Sequence, residues 1–361
     1  MTEENSTPQV RVLIADDSAF MRTALSRMVA SDPDLWVAGT AGNGNEVLEK
    51  IASLDPDVIT LDVQMPGLDG IETLRCIMTQ FPRPVIMVSS VTLKDAESTF
   101  DALSAGAFDY VPKQLSSTSL DIIHLRDDLI AKIKAAGEAR RSRAYPGSLR
   151  KPPTPVRPSP SEVFPATTAI IVLGTSTGGP KALEEILPVL PAGLPVPILV
   201  VQHMPVGFTG PFAQRLNNLC SVLVCEASNG ETAQPGGVYI APAGKHMTVE
   251  RFPDSRAILW LSDRPVQQVH VPSVDVMMKS AASAFQSHVM GIIMTGMGSD
   301  GVQGMKAIHQ VGGMTIGQDE ETCAVYGMPR ACAEEGVLRK VVPLAQIPQQ
   351  ILQATLYRKM A

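Results

Sequence analysis

Cysteine is scarce in this sequence, and the five present (Cys76, Cys220, Cys225, Cys323 and Cys332) form no C-x-x-C pair. The odd, sparse count argues for reduced thiols and against a disulfide framework or a zinc site. Positive charge is also in deficit. The net charge is −6, so a sequence-independent grip on nucleic acid is not expected. No apolar run approaches the roughly 20 residues that span a bilayer. The first residues, Met1 to Gln9, are polar and acidic and do not read as a signal peptide. These absences point to a cytoplasmic protein with no nucleic-acid partner and no direct membrane insertion. What is present suits globular cores: 361 residues, 45% hydrophobic and 18% charged, enough for two or three domains.

The first half alternates short apolar runs with amphipathic ones. Runs at Val10–Ala15, Trp36–Gly39, Val58–Leu61, Val85–Val88 and Phe108–Val111 read as strands. The segments between them read as helices. Such alternation predicts a doubly wound parallel sheet, with functional groups at the carboxyl ends of strands. Asp16 and Asp17 follow the first run, Asp62 the third, Ser89 the fourth and Lys113 the fifth. Clustered carboxylates repel one another unless a cation joins them, and Mg2+ takes one or two carboxylates together with phosphate oxygens. Asp62 is then a candidate nucleophile toward a phosphoryl group, with Ser89 and Lys113 holding its oxygens. The alternative for any one aspartate is a helix N-cap.

A basic and then proline-rich stretch separates the halves, from Ala139-Arg140-Arg141 through Lys151-Pro152-Pro153 to Pro160. Proline-rich chain of this kind forms an extended, semi-rigid spacer. The expected division is 10–137, linker 138–167, and 168–361.

The second half is organised around Ile170-Ile171-Val172-Leu173-Gly174-Thr175-Ser176-Thr177-Gly178-Gly179-Pro180, an apolar run broken by a glycine-rich turn before an amphipathic segment. It reads as strand, turn and helix with Ser176 at the apex, and it satisfies the G-x-S-x-G spacing of a nucleophile elbow. Strands at 198–201 and 289–294 lead to His203 and Asp300. Ser176, His203 and Asp300 therefore converge on one edge of a second parallel sheet. A serine hydroxyl needs a base, a neutral imidazole serves near pH 7, and a carboxylate behind it fixes the tautomer. Each also has a plainer reading: Ser176 as a turn residue, His203 as a satisfied polar group, Asp300 as the cap of a helix beginning at Gly301. His246, His270, His288 and His309 are competing bases. The chain order Ser, His, Asp differs from the α/β-hydrolase order.

One motif points elsewhere. Gly296-Met297-Gly298-Ser299-Asp300-Gly301 fits G-x-G-x-x-G, and Asp319 follows at the next strand end, as in a dinucleotide site. Against it, Asp300 would set a carboxylate beside the pyrophosphate. A DNA-binding output is a further alternative, but no basic helix-turn-helix pattern is present.

The first half resembles the response-regulator receiver domain over about 11–134, through Ile14-Ala15-Asp16-Asp17-Ser18, Leu61-Asp62-Val63-Gln64-Met65-Pro66-Gly67, Val88-Ser89-Ser90 and Tyr110-Val111-Pro112-Lys113. The resemblance implies a flavodoxin-like fold with Asp62 as phospho-acceptor. It implies Mg2+ held by Asp16, Asp17, Asp62 and the Gln64 carbonyl, and Ser89 and Tyr110 as a switch pair beside Lys113. Receivers usually carry proline after that lysine. Gln114 stands there, so a trans bond is expected. The second half, about 168–360, closely resembles the catalytic domain of the CheB protein-glutamate methylesterase family. The matching stretches are the Ser176 turn, Val201-Gln202-His203-Met204-Pro205, Ala241-Pro242-Ala243-Gly244-Lys245-His246, Pro272-Ser273-Val274-Asp275, the 294–301 loop and Tyr326-Gly327-Met328-Pro329. This implies a Rossmann-like α/β esterase with Ser176 as nucleophile, His203 as base and Asp300 as its orienter. Thr177 would line the site, and the Met297 and His203 N–H groups would bind the oxyanion. No cofactor is implied for the ester reaction. The expected substrates are methylated chemoreceptors, with deamidation of receptor glutamines. The expected phosphodonor is a chemotaxis histidine kinase, relieving inhibition by the receiver.

Overall fold

The computed structural model describes residues 9–89, 93–113, 119–141, 168–266 and 268–356. Gln114 and most of the expected linker lie outside these. The chain divides into two compact units, through Lys151 and from Pro152.

The first unit is a five-stranded sheet: β1 (Val10–Ala15), β2 (Leu35–Ala41), β3 (Val58–Asp62), β4 (Val85–Ser89) and β5 (Asp109–Pro112). All pairs are parallel and the order is β2-β1-β3-β4-β5, the doubly wound, flavodoxin-like order expected. Helices α1 (Ala19–Ala30), α2 (Gly44–Leu54), α3 (Gly70–Gln80) and α4 (Leu93–Ser104) make the crossovers, and α5 (Ser119–Arg141) follows the last strand. Their starts are set by short polar side chains. Ser18 and Asn43 accept from the backbone of the following turn, and Asp69 forms a capping box with Glu72. The central strands β3 and β4 are buried throughout, as continuous apolar runs covered on both faces must be.

The sequence placed the end of this unit too early. Helix α5 continues through Arg141, so 138–141 form its last turn rather than the start of a linker. Arg140 donates to the Pro56 carbonyl and pairs with Asp55 and Asp57. The basic residues that read as solvated chain are held by carboxylates far away in sequence.

The second unit contains a seven-stranded parallel sheet. Its strands are β6 (Ile170–Thr175), β7 (Ile198–Gln202), β8 (Leu223–Glu226), β10 (Gly237–Ile240), β13 (Val289–Ile293), β14 (Met314–Gln318) and β15 (Lys340–Val342). The spatial order is β15-β14-β13-β6-β7-β10-β8. From β6 the chain winds one way through β7, and from β13 the other way through β14. The reversal lies between β6 and β13, the topological switch point where doubly wound sheets open a crevice. A separate antiparallel sheet, order β11-β12-β9, is formed by β9 (Glu231–Ala233), β11 (His246–Arg251) and β12 (Ala257–Ser262). Around the main sheet lie α6 (Gly179–Ile186), α7 (Thr209–Leu219), α8 (Val274–Phe285), α9 (Val302–Gln310), α10 (Met328–Glu334) and α11 (Ile347–Leu356). The core is built on Ile170, Val172, Leu199, Val201, Met277, Ile293 and Met305, all fully buried. Each such side chain contributes about 1.5–3 kcal/mol on burial. Among the described residues no helix is long and apolar enough to cross a membrane.

Candidate active site

Strand β6 ends at Thr175 and α6 begins at Gly179, so Ser176 sits on the turn between them, half-buried. Gly178 caps α6 with φ 77°, a left-handed conformation that glycine adopts without strain. The turn is pinned from the neighbouring strand end. Ser176 N–H donates to the Thr295 carbonyl at 3.0 Å, and Thr295 Oγ1 donates to the Thr177 carbonyl at 2.9 Å. Buried Gln202 donates through Nε2 to the carbonyls of both Ser176 and His203, each at 3.0 Å. Thr175 pairs with Gln202 across β6 and β7, which brings Ser176 level with His203. Thr177, next in the turn, is buried, and Met297 lies half-buried in the loop after β13.

Asp300 lies beyond the end of β13, just before α9, and does not cap that helix. Its carboxylate crosses to the neighbouring helix α8. Oδ1 accepts from Ser273 Oγ at 2.9 Å and Asp275 N–H at 3.0 Å, and Oδ2 accepts from Val274 N–H at 2.8 Å. The fourth partner is His203, whose Nε2 lies 2.9 Å from Oδ2. Asp275, on α8, returns the exchange, with Oδ1 accepting from Gly301 and Gly304 N–H of α9 at 3.0 and 2.7 Å. Each helix start is thus capped by the other's carboxylate, which satisfies the exposed N–H groups and favours negative charge there. Burial alone would raise Asp300; bonds from His203 and the α8 N–H groups outweigh it and bring its pKa down to about 2.

A carboxylate only accepts, so His203 Nε2 carries the proton and Nδ1 is the basic nitrogen. Nδ1 is buried and has no hydrogen-bond partner among the described residues. This is the reverse of the serine-protease assignment, in which Nδ1 faces the carboxylate. Ser176 Oγ likewise makes no hydrogen bond among the described residues, so the relay is closed from Asp300 to His203 and open from His203 to Ser176. Unliganded sites are often loose at this step.

One implied role is corrected. The His203 N–H donates to the Thr175 carbonyl at 3.1 Å, closing the β6–β7 ladder, and is not available to an oxyanion. The N–H groups of Thr177 and Met297 donate to nothing among the described residues.

The other histidines separate clearly. His246 is fully buried, with Nε2 on the Pro265 carbonyl at 3.2 Å and Nδ1 accepting from Ser273 N–H at 3.2 Å. His288 and His309 contact backbone carbonyls of Phe285 and Val337. His270 stacks on His203 with ring centroids 4.1 Å apart. Sequence reasoning assigned no role to Ser273, Asp275, Gln202 or Thr295. The signals available were that all four fall in stretches matching the resembled family and that Ser273-Val274-Asp275 before an apolar run marks a helix start.

The dinucleotide reading of 296–301 does not survive. The Asp300 carboxylate fills the space between the helix starts, and Asp319 caps its own turn through the Thr322 N–H at 3.0 Å. Gly296 is required for packing instead, since a Cβ there would lie 2.9 Å from Ser176 Cβ and 2.3 Å from Met328 Sδ.

In the first unit, Asp16 and Asp62 are buried, Asp17 is exposed, and the three carboxylates offer oxygens within 4.8 Å of one another. Lys113 Nζ lies 3.0 Å from Asp16 Oδ2 and 2.5 Å from Asp62 Oδ2. The Lys113 ammonium pairs with two of the three carboxylates, and the excess negative charge on hard oxygens fits a divalent cation such as Mg2+. Burial pushes Asp62 up to about 6, against the pull of Lys113. Gln64 N–H donates to Asp62 Oδ1 at 3.1 Å, placing the Gln64 backbone beside the cluster. Ser89 and Tyr110 are both buried, and Thr99 Oγ1 donates to Ser89 Oγ at 2.9 Å.

Comparison with known proteins agrees with this division. The CheB methylesterase family matches residues 171–351 and the response regulator receiver domain matches 12–123. A protein-glutamate methylesterase/protein-glutamine glutaminase 1 of Oleidesulfovibrio alaskensis is 44% identical, over 96% of this chain and 99% of that one. The corresponding Geobacter sulfurreducens protein is 43% identical over 96% and 98%. The crystal structure of the Thermotoga maritima CheB methylesterase catalytic domain is 39% identical with a TM-score of 0.50, covering 52% of this chain and 99% of that one. With likeness running nearly end to end and the receiver and esterase folds in the same order, this chain belongs to the CheB methylesterase family of response regulators.

Proposed function

We propose that this protein hydrolyses glutamate methyl esters on chemoreceptors, and deamidates receptor glutamines, when its receiver is phosphorylated. The observation that carries the ester chemistry is the Asp300–His203 bond, which leaves a basic Nδ1 level with Ser176 at the switch point of the sheet. Nδ1 takes the Ser176 proton as Oγ attacks the ester carbonyl, and the Thr177 and Met297 N–H groups receive the oxyanion. The imidazolium returns its proton to the leaving methanol. Water, activated by the same nitrogen, then releases the glutamate and regenerates the serine. In deamidation ammonia leaves in place of methanol. Asp300 orients the ring and stabilises its cationic form throughout. No metal or cofactor enters this sequence of steps.

In the receiver, Asp62 attacks the phosphoryl group supplied by a partner histidine kinase, and Lys113 and Ser89 hold its oxygens. Mg2+, held by Asp16, Asp17, Asp62 and the Gln64 carbonyl, supplies charge neutralisation there when bound. Ser89 and Tyr110 read the phosphate, and the unphosphorylated receiver keeps esterase activity low. The site of action is the cytoplasmic face of receptor signalling helices.

The test is methanol release from methylated receptor membranes, with Mg2+ and a small-molecule phosphodonor. Ser176→Ala should lower the rate by at least about 10³-fold. Asp62→Asn should keep the low unstimulated rate and lose the response to phosphodonor. A Ser176→Ala protein that still releases methanol would sink the hydrolytic reading.

A further inference from the structure

We propose that His270 is a positioning residue for His203, and that its own charge state throttles the ester reaction in acid. This deepens the Ser176–His203–Asp300 reading and rests on it. The two rings lie 4.1 Å apart between centroids and 15° from parallel, face on face. Stacking at this separation is a packing contact between whole rings rather than a grazing one.

A general base must hold its nitrogen on the line to the attacking hydroxyl. Asp300 fixes one end of the His203 ring through Nε2, a bond that by itself still permits the ring to swing about it. A flat neighbour against the ring face removes the swing and keeps Nδ1 turned toward the Ser176 turn. His270 can serve because its loop is tied at both ends. The Pro265 carbonyl meets His246 Nε2 at 3.2 Å, and the Val271 carbonyl accepts from Gly244 N–H at 3.1 Å. Two residues further on, Ser273 donates its N–H to His246 Nδ1 and its hydroxyl to Asp300. The loop carrying the stacked ring is therefore bolted to the carboxylate that orients its partner.

The electrostatics follow from the same contact. His203 becomes an imidazolium as Ser176 gives up its proton. A neutral ring presents its π-face to that cation, which is favourable. A protonated His270 presents like charge at stacking distance, which is not. Histidine is the side chain whose charge ordinarily changes between about pH 5 and 8. Charged groups are carried by several of the elements that hold or adjoin the two rings. Asp300 precedes α9 and Asp275 opens α8. Lys245, paired with Asp263 at 2.6 Å, lies in the turn before β11. His246 begins β11, and Arg264 shares the His270 loop. The carboxylate in contact with His203 is Asp300, whose oxygens already accept four hydrogen bonds. A second imidazolium beside His203 would thus compete for an acceptor that is full.

The experiment uses the full-length protein with Mg2+, phosphodonor and methylated receptor membranes, and follows methanol release from about pH 5.5 to 9. Each variant is read as a ratio to wild type at every pH, so any pH effect on receiver phosphorylation cancels. His270→Ala removes the stack and should lower kcat about tenfold at pH 8 with little change in KM. His270→Phe keeps a flat ring that cannot take a proton. It should lose clearly less than His270→Ala at pH 8, and its ratio to wild type should rise at least about threefold as the pH falls to 5.5. Equal losses in the two variants would overturn the positioning role. A His270→Phe ratio that stays flat with pH would overturn the charge role. Ser176→Ala is the control that separates the two readings. If it is inactive, a failure at His270 counts against this inference alone, and if it is active the hydrolytic reading has failed first.

Discussion

Asp300 joins the chemistry to the stability of the second unit, and Asp300→Asn tests both at once. The carboxylate accepts four hydrogen bonds, from Ser273 Oγ, the Val274 and Asp275 N–H groups and His203 Nε2. Its pKa is brought down to about 2 from an ordinary 3.8, and its side chain is only 10% exposed. A shift of nearly two pH units corresponds to about 2 kcal/mol favouring the folded state. Because the folded pKa is depressed, that contribution is fully present above about pH 4 and fades as the pH falls from there toward 2. In the Asp300→Asn protein the amide oxygen can still accept at the Oδ1 position. The amide nitrogen at the Oδ2 position then faces two donors, Val274 N–H and His203 Nε2–H. Leaving such groups unsatisfied costs about 1–3 kcal/mol. For a unit of this size the loss lowers Tm by roughly 2–12 °C. Recovering the bond by letting Nε2 accept from the amide moves the His203 proton to Nδ1, the nitrogen meant for Ser176, so kcat should fall about 10³- to 10⁴-fold. Calorimetry at pH 7 and across pH 2.5–6 reads the first effect, and methanol release reads the second. The stability gap between wild type and Asp300→Asn should close as the solution becomes more acidic. An Asp300→Asn protein that melts with wild type at pH 7, or keeps a tenth of its kcat, would refute the reasoning.

Two further substitutions probe contacts that the chemistry does not touch directly. Gly296→Ala would set a methyl 2.9 Å from Ser176 Cβ and 2.3 Å from Met328 Sδ. It should cost about 1–3 kcal/mol and lower kcat at least about tenfold through displacement of Ser176; unchanged thermal melting together with an unchanged rate would count against it. Lys132 is buried between Asp109 and Asp128, at 3.8 and 3.0 Å, and donates to the Tyr110 carbonyl at 2.7 Å. Lys132→Met removes the ammonium that faces the buried Asp109 carboxylate and should destabilise the receiver by about 1–3 kcal/mol, seen as an earlier first transition in urea unfolding. If the transition does not move, the pair carries no net stability.

The strand ends were legible because a parallel sheet announces itself: apolar runs that stop at a polar or glycine-rich turn mark where side chains can emerge. That logic found Asp16, Asp62, Ser176 and His203. What it did not find has a common physical cause. β9 and β11 carry alternating polar residues and are held by antiparallel partners rather than by their own burial pattern. The last turn of α5 is fixed by carboxylates more than eighty residues earlier in the chain. Ser273, Asp275, Gln202 and Thr295 act by holding other residues, and no local period reports a contact between elements. The His203 N–H looked available because the ladder that uses it is a property of two strands, not of one.

Asp300 shows the consequence most clearly. Read locally it is a cap for α9; in the fold it caps α8, and Asp275 caps α9 in return. The exchange explains why a carboxylate can stay ionised in a site where burial opposes it, since the helix start that needs an acceptor is also the support the base needs. It also explains why the members of the proposed triad should respond differently to removal. Ser176 Oγ makes no hydrogen bond among the described residues, so its loss should abolish turnover and leave melting almost unchanged. Loss of Asp300 should damage both together. Parallel losses of stability at the two positions would mean that the crossed caps contribute nothing, and that the carboxylate is placed by something other than the helices it joins.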